Sequence, residues 1–104
     1  MTTWMMLHPS MTPERLGLLP GMLDENDPRP AKDQFNENYG HGGGWRPMEG
    51  FKLNTMNFVL SYPGDPPLKP LAFCRFHSEL IAFYDHAWVM IMQPDNSFEV
   101  CRMD

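Results

Sequence analysis

Cysteine is scarce in this sequence: Cys74 and Cys101 are the two among 104 residues. That scarcity excludes a disulfide framework and the paired Cys-x-x-Cys ligands of a structural zinc site. Both cysteines lie inside apolar segments, so buried thiols are expected, with a disulfide open only if their two strands are neighbours. Positive charge is also sparse. Eight Lys and Arg stand against thirteen Asp and Glu, for a net charge of -5, and no basic run occurs. A phosphate backbone or an anionic membrane surface therefore finds no docking stripe, and no nucleic-acid or membrane partner is expected. No segment approaches the roughly 20 apolar residues of a membrane span. The stretch Met1–Pro9 has no basic region and its apolar run stops at His8, unlike a signal peptide, so a cytoplasmic location is expected.

Proline, glycine and methionine are plentiful: 11, 8 and 10 residues. Most of the proline and glycine falls before Leu71, which predicts turns and short elements there. The block Phe73–Met103 is different. Leu80-Ile81-Ala82-Phe83-Tyr84 and Trp88-Val89-Met90-Ile91-Met92 are apolar at every position, whereas a strand with one wet face alternates. Such strands need cover on both sides.

The chain reads as one α+β domain over 1–104, with a helical, loop-rich part at 1–44 and an antiparallel sheet over 51–104. Thr12-Pro13-Glu14-Arg15 has the cap, first-turn proline and acidic residue of a helix start, and Pro20 ends or kinks that helix. A second helix is predicted from near Pro30 to Tyr39. Its apolar stripe Ala31, Phe35, Tyr39 is narrow, so it should lie on a surface, with the acidic Asp24–Asp27 loop supplying its cap. Short strands are predicted at Phe51–Leu53 and Phe58–Tyr62, with a turn at Asn54–Asn57. Pro63-Gly64-Asp65-Pro66-Pro67 is a rigid connection. Leu71–Phe76, Glu79–Tyr84, Ala87–Gln93 and Phe98–Met103 follow as a meander with short links. The expected architecture is a meandering antiparallel sheet of four to six strands with two short helices packed on one face.

His41-Gly42-Gly43-Gly44 resembles the HGGG segment that builds an oxyanion hole in one group of lipases and esterases. That chemistry also needs a Gly-x-Ser-x-Gly elbow, and no serine here has that context. No lysine follows as in a phosphate-binding loop, and Trp45 occupies the position where a dinucleotide motif needs glycine. The glycines therefore read as a hinge that lets Trp45 pack, or as a nest of amides for an anion. His77 and the pair Asp85-His86 flank the strand Glu79–Tyr84 and so stand on the order of 20–30 Å apart, too far to share one ion. No metal site and no cofactor is expected.

The two short helices offer too little apolar surface to cover both faces of the sheet. The other face needs the arm Trp4–Leu7, the proline-rich connector or another subunit. The leading expectation is a small non-catalytic interaction or structural protein that self-associates, or meets a protein partner, through Trp45, Arg46, Trp88, Met90 and Met92. The alternative is a ligand-binding or enzymatic domain with a cleft near His41–Gly44, where His41, Gly43, Asp85 and His86 bring polar groups. The composition is also of a kind common in bacteriophage and viral accessory proteins, an expectation about origin that rests on no motif.

Overall fold

The computed structural model describes residues 4–7, 15, 23–38 and 45–102. In chain order its elements are β1 (Trp4–Met6), α1 (Ala31–Asn38), β2 (Lys52–Leu53), β3 (Leu60–Ser61), β4 (Pro70–Phe76), β5 (Glu79–Tyr84), a single 3-10 turn (Asp85–Ala87), β6 (Trp88–Met92) and β7 (Phe98–Arg102). The main sheet has five antiparallel strands in the order β1-β4-β5-β6-β7. β4 to β7 are the predicted meander. β1 was not foreseen as a strand: the N-terminal segment pairs with β4, Trp4 opposite Cys74 and Met6 opposite Ala72. β2 and β3 pair with each other and form a separate hairpin outside the main sheet. The expectation of two helices is corrected to one, α1, among the described residues. The helix predicted to start at Thr12 lies, apart from Arg15, outside the described residues.

The register explains why β5 and β6 are apolar throughout. Cys74, Ile81 and Ile91 stand in line across the strands on one face, with Phe83 opposite Val89 beside them, and Phe73, Ala82, Met90 and Val100 stand in line on the other. Each face meets its own cover from the same chain. On the first, Leu23, Ala31 and Phe35 join Ala72, Cys74, Phe76, Ile81, Phe83, Val89 and Ile91 in one cluster, with Met6 and Trp45 at its margin. On the second, Leu60 is buried with Ala82, Tyr84, Met90 and Val100, and Phe51, Leu53, Phe58 and Leu68 pack over them. The cover that composition seemed unable to supply thus comes from the hairpin and the proline-rich connector, one of the sources anticipated.

α1 lies where its stripe requires. Ala31 and Phe35, four apart, are fully buried, while Lys32, Asn36 and Glu37 face solvent. Its cap is not the acidic loop. The Ala31 N–H donates at 2.8 Å to the carboxylate of Glu79, which also accepts the Gln93 side-chain amide at 2.6 Å. A negative group from a distant strand therefore satisfies the positive end of the helix. Asp27 instead binds Arg29. Gln34, also buried, accepts the Asp24 N–H at 2.7 Å and donates to the Arg29 carbonyl at 3.2 Å, holding the loop 24–29 against the helix.

On the opposite face, the Tyr84 hydroxyl donates at 2.6 Å to the carbonyl of Phe58. Phe58 has φ 58°, an uncommon conformation for a bulky residue. It is kept there by its own N–H, bonded to the Asn54 carbonyl at 2.7 Å, and by an edge contact with the Phe73 ring at 5.1 Å. Burial pushes the Tyr84 hydroxyl pKa well above its ordinary value, so this tie stays protonated and donating.

Cys74 on β4 and Cys101 on β7 are both buried and free. β5 and β6 stand between their strands, a separation on the order of 14 Å at normal strand spacing, which no disulfide bridges. Burial, with Glu25 adding a smaller repulsion, pushes the Cys74 thiol up to about 11, and burial raises Cys101 too. Neither is a thiolate nucleophile at neutral pH.

Candidate functional site

Two concave regions compete for attention. The larger, about 500 Å³, runs between the start of α1 and the ends of β5, β6 and β7, lined by Lys32, Glu79, Ile91, Gln93 and Glu99 among others. Its principal polar groups are already committed. Glu79 serves Ala31 and Gln93, and Glu99 accepts the Trp45 indole N–H at 2.6 Å. A ligand entering there would have to displace bonds that hold the fold.

The smaller, about 290 Å³, lies on the opposite side of the sheet and is built differently. Phe51 precedes β2 and Tyr62 follows β3, so the pairing of Lys52 with Ser61 brings these two aromatics to the open end of the hairpin. Their ring centroids are 5.0 Å apart. Trp88, the first residue of β6, stands 5.0 Å from Phe51 in an edge-on arrangement. The three rings form one apolar wall.

Gly50 allows this wall to form. It has φ 102°, and a Cβ there would come within 3.0 Å of the Tyr62 ring. The connector after Tyr62 then turns sharply. Pro63 and Gly64 take the central places of a type II turn, with Gly64 at φ 88° and the Asp65 N–H donating to the Tyr62 carbonyl at 3.0 Å. This brings Asp65, Pro66 and Pro67 to the pocket, and Leu68 anchors the wall by two backbone bonds to Leu60, at 2.8 and 3.0 Å.

The remaining side is the loop Asp85-His86-Ala87, where His86 and Ala87 have φ 63° and 65°. Two consecutive non-glycine residues in the left-handed region cost on the order of 1–2 kcal/mol each. The strain sits at the rim of the pocket that Asp85 and His86 line. Asp65 and Asp85 are exposed, and neither carboxylate is bonded to another described residue.

The sequence-level candidates separate into distinct places. Asp85, His86 and Trp88 converge on the pocket. Met90, under the hairpin, is fully buried within the chain, and Met92 is half-buried beside Phe98. Trp45 lies on the other face, stacked on Phe35 at 6.1 Å with its backbone N–H bonded to the Asn36 side chain. Arg46 is exposed next to it, its backbone N–H donating to the Cys101 sulfur at 3.3 Å. His41 and Gly43 lie outside the described residues, as does the cleft expected around them. Phe51, Tyr62, Asp65, Pro66 and Pro67 were not singled out as site residues. The signal that pointed to them was the Pro63-Gly64 turn, which folds the connector back toward Tyr62.

Among the described residues, no group of three or more His, Cys, Asp or Glu is placed to hold a metal ion. Among those residues, too, no helix is long and apolar enough to cross a membrane. No family model, curated protein or solved structure matches the chain.

Proposed function

We propose that this chain is a small, non-catalytic interaction protein whose contact site is the pocket formed by Phe51, Tyr62 and Trp88. The observation that carries this reading is the contrast in polar groups. The carboxylates at this pocket are unengaged, whereas those of the larger groove are bonded within the fold. Aromatic walls with a few placed polar groups are the usual makeup of a binding site. The test is a screen of charged and neutral fragments followed by amide and indole chemical shifts. Perturbations should cluster on Trp88, Tyr62 and His86 and vanish in the Tyr62→Ala variant. A screen in which no fragment of either kind perturbs these residues overturns the reading.

Self-association is a second reading, now moved to a different surface. Met90 is buried under its own hairpin and offers no surface to a second copy. β1 does: it is an edge strand of three residues, and Met5 and Leu7 are 58% and 43% exposed. Pairing of β1 with the same strand of another copy would cover both. Light scattering across a wide concentration range tests this, with Met5→Lys expected to abolish any dimer. A strict monomer at high concentration ends it.

A further inference from the structure

We infer that the Phe51–Tyr62–Trp88 pocket takes an organic ammonium ion, either a small quaternary amine or the ammonium end of a lysine or methylated lysine side chain. The inference rests on the pocket being the contact site and specifies what it binds. Its first ground is that three aromatic rings and two carboxylates with no partner among the described residues line the same pocket. Phe51 lies 5.0 Å from both Tyr62 and Trp88, and Asp65 and Asp85 stand at the same pocket from two separate segments. A cation within about 6 Å of an aromatic centroid is attracted by the ring quadrupole, and a nearby carboxylate adds to that attraction.

One of these rings already meets a cation within the chain, which competes with a ligand ammonium for that ring, so the attraction rests on the other rings and the carboxylates. The Arg102 guanidinium carbon lies 5.8 Å from the Trp88 centroid, so the indole is engaged in a cation–π contact within the chain. Arg102 does not line the pocket. Lys52 pairs with Ser61 on the hairpin, and both side chains are exposed, while Phe51 packs into the second cluster. The second ground is size. At about 290 Å³ the pocket accepts a trimethylammonium head with part of its chain and is small for a drug-sized ligand. An anion is disfavoured by the two carboxylates and by the net charge of -5.

The probes are choline and its uncharged shape analogue 3,3-dimethylbutan-1-ol, titrated into the full chain while the Trp88 indole and Tyr62 resonances are followed. Choline should bind about tenfold more tightly than the neutral analogue. Asp85→Asn and Asp65→Asn, both at exposed positions, should each weaken choline several-fold and leave the analogue unchanged. Equal affinity for the two probes overturns the ammonium inference and leaves the contact site standing; no binding of either probe, with other fragments still shifting Trp88, does the same. A screen silent for every fragment overturns both. A short peptide bearing trimethyl-lysine supplies the second arm. Binding tighter than choline, lost when norleucine replaces the trimethyl-lysine, assigns the ammonium to a protein segment, and binding no tighter than choline assigns it to a small molecule; tight peptide binding that survives the replacement overturns the inference.

Discussion

The two faces of the sheet are covered by opposite means. On one, a regular helix lies over Ile81, Phe83 and Val89, and its joints are hydrogen bonds accepted by buried side chains, Glu79 from Ala31 and Gln34 from Asp24 in the loop before it. On the other, irregular chain rich in aromatics and proline lies over Ala82, Met90 and Val100, tied by the Tyr84 hydroxyl and by ring contacts. The helical cover satisfies its own backbone and leaves its groove chemically occupied. The irregular cover depends on residues at positive φ, at Gly50, Phe58, Gly64, His86 and Ala87, and between its turns leaves a pocket with free carboxylates. Both faces keep a concavity, but the one closed by loops keeps its carboxylates unengaged, whereas those of the groove beside the helix are bonded within the fold.

The comparison can be broken most forcefully by removing one side chain from each cover. Phe35→Ala should lower stability by about 3–5 kcal/mol and Leu60→Ala by about 2–5 kcal/mol, read from denaturant midpoints. The two should differ in kind. Phe35→Ala should lose the far-ultraviolet helix signal first, whereas Leu60→Ala should keep it and lose near-ultraviolet signal from Trp88 and Tyr62. A uniform loss in both would mean that the covers are not separable.

A smaller effect separates the hydrogen-bonded joints. Glu79→Ala leaves the Ala31 N–H and the Gln93 amide without their acceptor and should cost about 1–3 kcal/mol. Tyr84→Phe removes one neutral bond, to a carbonyl on the loop-covered face, and should cost about 1 kcal/mol. If Tyr84→Phe proves the costlier, the loop cover is the more rigid of the two.

The smallest effect is in pH. Burial raises the Cys74 thiol to about 11 from an ordinary value of 9.0, so the folded chain keeps a proton that the unfolded chain loses. The resulting stability is complete below about pH 9 and declines as pH rises toward 11. Cys74→Val should reduce that decline, the rest coming from Cys101 and Tyr84, which burial raises in the same direction, and until unfolding the native thiols should resist labelling by a disulfide reagent.

Much of the scaffold was legible in the sequence. β5 was placed at Glu79–Tyr84, and α1 and the meander within a residue or two of their ends, because period, proline and turn residues act locally. That the all-apolar strands needed cover on both faces was legible too. The source of the second cover was harder to see, since Phe51, Leu53, Phe58 and Leu68 are scattered among prolines and polar residues and show no period. The pocket was half legible. Asp85, His86 and Trp88 are adjacent in sequence, but their convergence with Asp65 depends on the Gly64 turn and on a hairpin docked through Tyr84. The capping of α1 by Glu79 had no local sign, because the partners are 48 residues apart.

β1 joins the sheet by the pairing of Trp4 with Cys74, whereas β4 to β7 join by tight local turns. In kinetic terms, the meander can form early from nearby contacts, and β1 must wait until a long loop closes. It should therefore dock late, release early, and show the fastest amide exchange of the five strands. Each release uncovers the backbone edge of β4 beside Phe73 and Cys74. The shelf life of the protein in concentrated solution would then depend on how often its shortest main-sheet strand lets go.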